Sequence, residues 1–264
     1  MRDTQVNQPS AGGSVNEDSR PASSTADAVF AAILADIVSG KYPHGARLPA
    51  ERELARVLGA SRPTLREVLR RLTEWCLIAP RRGSGIVIRP PSEWSIEVLP
   101  AYVRFAGKNS LDLPIVQLMV DMLALRRSLL VEIIGLVCGR TSPDGLAAAR
   151  SLLDHAYAER AHPLRFLAAD LAVIRQVALA ARFFPAVWLL NRLASVYLEL
   201  AGSLAGAISP PHDYHEVHSQ VFDALEAGDR GQAVTIMRDY LVRHDRRLLG
   251  AAMPVDPSGP GDSR

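Results

Sequence analysis

Cysteine is nearly missing from this chain: Cys76 and Cys138 are the only two, far apart and each set among apolar neighbours. That excludes a disulfide framework and a cysteine-based zinc site, and leaves two buried free thiols in a reducing compartment as the expectation. Lysine is almost as scarce, with only Lys41 and Lys108, so arginine carries the positive charge. Its planar fork suits guanine and phosphate oxygens. No run of about 18 uncharged apolar residues occurs, so no membrane-crossing helix is expected. The first 25 residues are polar and hold no apolar stretch of signal-peptide length, which predicts a soluble, cytoplasmic protein. A nucleophile–base pair, a phosphate loop and a complete metal-ligand set are all missing, which argues against an enzyme and against a bound cofactor.

Net charge over the 264 residues is only +2, but it is unevenly placed. Residues 23–90 hold 11 basic and 6 acidic side chains, a balance of +5, whereas residues 91–264 hold 17 and 19. A local excess of this kind fits one segment that meets phosphates.

That basic segment has a recognisable order. Val29, Phe30, Ile33, Leu34, Ile37 and Val38 recur at helical spacing within 26–39, and Gly40 supplies a stop. A second short helix is predicted over 50–58, ending at Gly59, and Ser61 then reads as the N-cap of a third that runs to about Trp75. Its core stripe is Leu65, Val68, Leu69 and Leu72, which leaves Arg66 and Arg70 off the stripe. Arg81-Arg82-Gly83-Ser84-Gly85 followed by Ile86-Val87-Ile88 predicts a glycine-tipped hairpin, and Pro90-Pro91 closes the unit. Two helices joined by a tight turn, the second opening Ser-Arg-Pro-Thr-Leu-Arg, make a helix-turn-helix whose second helix can enter a major groove.

From Trp94 to Leu249 the pattern is helical, with breaks near Lys108–Asn109, Pro143, Pro163, Pro185, Pro210-Pro211 and Gly228. Six or seven helices and no strand are expected, so the fold class is mainly α: a winged helix-turn-helix over 23–90, then an all-α antiparallel bundle over 91–250. Polar tails expected to be disordered flank them at 1–22 and 251–264. More apolar helix surface is present than one small bundle buries, which points to a homodimer.

The run Gly40-Lys41-Tyr42-Pro43-His44-Gly45-Ala46-Arg47-Leu48-Pro49-Ala50-Glu51-Arg52-Glu53-Leu54-Ala55, continued by Leu58-Gly59-Ala60-Ser61-Arg62-Pro63-Thr64-Leu65-Arg66-Glu67-Val68-Leu69-Arg70-Arg71-Leu72, resembles the GntR family of bacterial regulators. The resemblance implies a homodimer on a short palindromic double-stranded DNA operator, controlled by a small-molecule effector. Carried over by residue, it implies DNA contacts from Arg52, Ser61, Arg62, Thr64 and Arg66, and from Arg82 and Gly83 in the wing. Glu51, Glu53 and Glu67 are expected to orient arginines or cap helices.

The all-helical remainder is similar to the FadR subfamily. Many members of it carry a metal on an Asp, a His four residues later, and two further histidines. Here Asp170 and His218 match, but Ile174 and Tyr240 stand at the other two positions, too few donors for a tight site. The same departures resemble the acyl-CoA-sensing branch. The expected effector is therefore an acyl-CoA or hydrophobic acid, with a small carboxylate, with or without a metal, as the alternative. Candidate effector residues are Arg126, Asp170, His218 and Tyr240. Arg126 on its apolar helix either pairs with Asp170 or receives an effector anion. His212, His215 and His218 read as loop histidines or, for His218, as a satisfied core histidine.

Overall fold

A computed structural model describes residues 25–105, 114–141, 143–203 and 211–252. The tail at 1–22, the break near Lys108–Asn109 and nearly all of the tail at 251–264 lie outside the described residues.

Three helices open the chain: α1 (Thr25–Val38), α2 (Glu51–Val57) and α3 (Arg62–Glu74). Helices α1 and α3 bury the stripes that the spacing predicts; α3 hides Leu65, Val68, Leu69 and Leu72 and leaves Arg62, Arg66 and Arg70 outside. The turn between α2 and α3 needs a left-handed residue, and Gly59 supplies it at φ +61°. Ser61 caps α3 by accepting the Thr64 N–H at 3.2 Å, and Pro63 sits in the first turn, where a missing donor costs nothing.

Strands β1 (Ile78–Arg81) and β2 (Gly85–Ile88) pair antiparallel, Ile78 against Ile88 and Arg81 against Gly85. Their connecting turn carries Arg82 at its tip, and Gly83 there adopts φ +73°. Arg47 bridges to Val87 and donates from Nη2 to Ser84 Oγ at 3.2 Å, which ties the segment before α2 to the wing.

Between α3 and β1, Cys76 takes the left-handed position normally given to glycine, at φ +59°. Its N–H donates to Thr73 O and the Leu77 N–H to Leu72 O, each at 3.0 Å, and Leu72 and Leu77 are both buried. Those are the two bonds and the apolar contact of a Schellman stop. A Cβ in that conformation costs about 1 kcal/mol. Cys76→Gly is therefore expected to raise stability by about 0.5–1 kcal/mol, read from a urea midpoint; a lower midpoint would mean that the thiol contributes packing. Cys76 and Cys138 are both half-buried, not buried as expected, and each stands just past the end of a helix.

Pro90-Pro91 does break the chain direction, into a short 3-10 turn over Pro91–Glu93. The apolar core of the first unit nevertheless continues past it. Val98, Ala101 and Tyr102, from a second 3-10 turn and α4 (Leu99–Phe105), belong to the same buried cluster as α1, α3 and the wing.

The remainder is α5 (Ile115–Val137), α6 (Pro143–Ala158), α7 (Pro163–Ala180), α8 (Phe184–Ser203), α9 (Tyr214–Glu226) and α10 (Arg230–Ala252). Helices α6 and α7, α7 and α8, α9 and α10, and α5 and α10 pack as neighbours around one core, with Ile134, Val173, Val177, Val221, Phe222 and Leu241 at its centre. Prolines open α6 and α7, where the spacing placed breaks. At Gly135 the α5 backbone lies so close to α10 that an added Cβ would meet Arg230 Nε and Val234 Cγ2 at 3.1 Å.

Candidate DNA-binding face and effector cavity

The N-terminus of α3 and the wing present the residues that the sequence singles out. Arg52, Ser61, Arg62, Arg66, Arg82 and Gly83 are exposed, and Thr64 is half-buried. Arg52 stands in the first turn of α2, Arg62 and Arg66 in the first two turns of α3, and Arg82 at the wing tip. Among the described residues, Arg52, Arg62 and Arg82 have no carboxylate partner, so their guanidinium groups are free to meet phosphate or base edges.

The acidic side chains sort the remaining arginines. Glu51 on α2 reaches Arg66 Nε at 3.6 Å, so it orients that arginine across the turn. Glu67 and Glu74 both hold Arg70 along α3 itself, and this pairing keeps Glu67 below the usual carboxylate range. Arg71 turns back to Asp27 at 2.8 Å and stacks over Phe30, which docks α3 on α1. Ser61 and Thr64 share a 2.7 Å hydroxyl–hydroxyl bond, so both serve the cap as well as facing outward.

In the bundle, α5, α7 and α8 enclose a cavity of about 60 Å³. Its walls are apolar, Leu125, Leu129, Leu171, Ile174, Leu193 and Val196 among them, apart from Arg126, Asp170 and Tyr197. Ile96, from the link between the two units, closes one side.

Arg126 does not pair with Asp170. Its Nη1 lies 3.3 Å from Asp245 Oδ1 on α10, and Arg127 takes the other oxygen, Oδ2, at 2.5 Å. The two helices α5 and α10 pack directly, so Asp245 is nearer than α7 can bring Asp170. Burial works against the charge on Arg126, but Tyr197, Asp170 and Asp245 around it hold the guanidinium above its ordinary value. Burial also raises the Asp245 carboxyl, more than the two arginines lower it.

Behind Asp170 stands an aromatic cluster that reaches α9 and α10. His218 is 2% exposed; its Nδ1 lies 2.8 Å from Tyr214 O and its Nε2 3.9 Å from Asp170 Oδ1. Burial pushes its imidazole below the ordinary value. Tyr214 packs against it at 4.3 Å between ring centroids and Tyr240 at 5.0 Å, while Tyr240 stacks on His244 at 6.0 Å. Burial, then Asp170, pushes both phenols far above their usual range. The buried Tyr214 hydroxyl faces Asp170 as its acceptor, and His244 Nδ1 is buried with no hydrogen-bond partner. His218 and Tyr240 therefore adjoin the cavity through Asp170 and do not line it.

The four metal positions of the resembling subfamily are Asp170, Ile174, His218 and Tyr240 here. Ile174 is an aliphatic wall of the cavity, and Tyr240 is a neutral phenol held far from ionisation. These residues do not fit a tightly held transition metal. His215 and His212 are not brought into the cluster: His215 bonds Asp154 on α6 at 2.7 Å, and His212 is exposed.

Asp245, His244, Tyr214 and Ile96 were not singled out by sequence. Tyr240 and His244 share a helix face with Met237 and Leu241, a spacing that could have shown His244 to be interior. Asp245 sits in the charged run Arg243-His244-Asp245-Arg246-Arg247, which looks like a solvated face.

Residues 25–88 match the gntR family of bacterial regulatory proteins, and residues 121–243 match the FCD domain. The chain is 31% identical over 236 residues to an uncharacterised HTH-type transcriptional regulator of Mycobacterium tuberculosis, covering 88% of this chain and 89% of that one. It is 27% identical over 230 residues to a fatty acid metabolism regulator protein of Klebsiella pneumoniae, covering 87% and 91%. The solved structure of Lar, which controls expression of the Listeria monocytogenes agr system, aligns at a TM-score of 0.55 and 14% identity over 88% of this chain and 98% of that one, a likeness of fold. A winged helix-turn-helix followed by an FCD bundle, in a chain similar along most of its length to such regulators, makes this protein a member of the GntR family of bacterial transcriptional regulators.

Proposed function

We propose that the protein is a cytoplasmic regulator that binds a palindromic operator as a homodimer and changes its grip on DNA when an apolar acid enters the cavity between α5, α7 and α8. The observation that carries the DNA reading is the row of exposed arginines without carboxylate partners, Arg52, Arg62 and Arg82, on one helix-turn-helix and its wing. The recognition helix supplies base contacts and the wing supplies a close backbone approach at Gly83.

The link supplies a route from cavity to DNA. Ile96 touches the cavity, and Leu99 packs on Val196 and Leu200 of α8. Between them, Glu97 is paired with Arg192 of α8, while Val98, Ala101 and Tyr102 lie in the DNA-binding core. A ligand that moves α8 or Ile96 therefore moves a segment that is part of both units.

Resemblance to the fatty acid regulator supports an acyl compound. The small volume favours the second reading, a short carboxylic acid, because a pocket for a drug-sized ligand is about 300–1,000 Å³. Mobility-shift titration with and without acyl-CoAs and short acids tests both. Binding to no palindromic DNA under any of these conditions would reject the function.

A dimer agrees with the exposed apolar side chains on the bundle, Leu125 and Leu136 on α5 and Phe184, Trp188 and Leu189 on α8. Light scattering at micromolar concentration is expected to give twice the 28.6 kDa chain mass. A monomeric mass from folded protein would contradict the homodimer.

A further inference from the structure

Arg126 lines the α5–α7–α8 cavity, but the carboxylate that holds it does not. That carboxylate is Asp245 of α10, 3% exposed, with Oδ1 3.3 Å from Arg126 Nη1 and Oδ2 2.5 Å from Arg127 Nη1. One side chain is therefore shared between neighbouring guanidinium groups of α5. The two contacts are unequal. Arg127 stands at a short charge-assisted distance, and Arg126 stands at the long end of the hydrogen-bonding range. The Arg126 guanidinium also lies 5.4 Å from the ring centroid of Tyr197, itself a cavity wall.

An anion that enters the cavity thus meets an arginine already engaged. A buried guanidinium beside one carboxylate attracts a second less than a free one does, because the two anions repel at close range. The pairing itself offers a release. Two guanidinium groups and one internal carboxylate become two matched pairs when a ligand carboxylate takes Arg126 and Asp245 stays with Arg127. No buried charge is left alone by that exchange, which keeps its cost low.

We propose that Asp245 is a built-in competitor for the effector: it holds Arg126 until an aliphatic acid takes its place there. This rests on the cavity being the effector site. Asp245 acts through Arg126 and is a positioning residue. It sets how strongly the cavity prefers an acid over a neutral molecule of the same shape. Its displacement also removes one of the two ionic contacts that it makes between α10 and α5.

The probes are 4-methylpentanoate and 4-methylpentanamide, which share a shape and differ in charge. In titration calorimetry on the full-length protein, the wild type is expected to prefer the acid by less than about tenfold. Asp245→Asn keeps the size of the side chain and removes the competing charge. It is expected to tighten the acid about fivefold or more and to leave the amide within about twofold. Arg127→Met takes away the stronger holder of Asp245, which then leans wholly on Arg126. Here the acid is expected to weaken about threefold or more, again with the amide nearly unchanged. Asp239→Asn removes an exposed carboxylate from the same helix and is expected to change neither probe, since solvent screens it. A packing defect would move acid and amide together and would not reverse sign between Asp245→Asn and Arg127→Met.

An acid that binds Asp245→Asn no tighter than the wild type would overturn the proposal and leave Asp245 as an anchor for the two arginines. Equal gains for acid and amide would count against it in the same way. So would a gain in Asp239→Asn as large as that in Asp245→Asn, which would assign the effect to net charge. If circular dichroism shows Asp245→Asn unfolded, Arg127→Met decides, and an acid that does not weaken there rejects the competitor. If neither variant folds, a wild-type preference for the acid well above tenfold rejects it. Wild-type protein that binds neither probe would remove the short-acid reading of the cavity, and the competitor with it.

Discussion

Acidification from pH 7 to pH 5 is expected to destabilise the bundle by about 2 kcal/mol through His244 alone. Burial first, and then the nearby Arg126, Arg247 and His218, lower this imidazole to about 3. In the unfolded chain it returns to a value of about 6.5. As pH falls through 6.5 the unfolded state takes up a proton that the folded state refuses until about 3, so stability is lost across that window. The slope approaches 1.4 kcal/mol per pH unit once the unfolded histidine is fully charged, roughly 298 K being assumed. His218, whose value is also lowered by burial, acts with the same sign. Asp245 acts with the opposite sign: its folded value is raised, so the fold is relieved as it protonates. Urea midpoints at pH 7 and pH 5 read the effect. His244→Phe keeps the stack on Tyr240, removes the unpartnered Nδ1, and is expected to be at least as stable at pH 7 and to lose much less at pH 5. An unchanged pH dependence in that variant would show that the acid sensitivity belongs to other groups.

The DNA-binding unit is legible in sequence because its determinants are local. Helix spacing, the Ser61 cap, the Gly59 turn and the Gly83 tip each act within a few residues, and all agree with one another. The bundle helices are legible for the same reason, bounded as they are by Pro143, Pro163 and Gly228. What sequence could not give is which charges meet across the bundle. Arg126 and Asp245 are separated by 119 residues and become partners only because α5 packs on α10. Pro90-Pro91 carries a different kind of information. It marks where the backbone turns, but burial of Val98, Ala101 and Tyr102 decides where the first core ends, and apolar contact ignores a bend in the chain. Cys76 shows the converse: nothing in the residue type announces a left-handed stop, and the geometry of α3 against β1 imposes it.

Arg62→Ala and Arg66→Ala are each expected to cost about 1–3 kcal/mol of operator affinity, and the double substitution more than either alone. Both side chains are exposed and lie off the stripe of Leu65, Val68, Leu69 and Leu72, so their loss leaves the core intact. Their ion-pairing differs, which separates their roles. Arg62 has no carboxylate partner among the described residues, whereas Arg66 is steadied by Glu51 at 3.6 Å. Fixing a fork in place favours bidentate contact to a guanine edge, so Arg66→Ala is expected to relax sequence preference at one operator position. Loss of a phosphate contact instead weakens all sequences alike and reduces the salt slope by about one, the behaviour expected of Arg62→Ala at the helix N-terminus. Arg70 provides the internal control. It lies on the same helix with the same charge, but Glu67 and Glu74 hold it along α3. Arg70→Ala is therefore expected to change affinity by under about 0.5 kcal/mol. Mobility-shift titrations of the three variants against a matched and a mismatched operator, at two salt concentrations, measure all of this. An Arg70→Ala loss as large as that of Arg62→Ala would mean that net charge, and not the placement of these two arginines, holds the DNA.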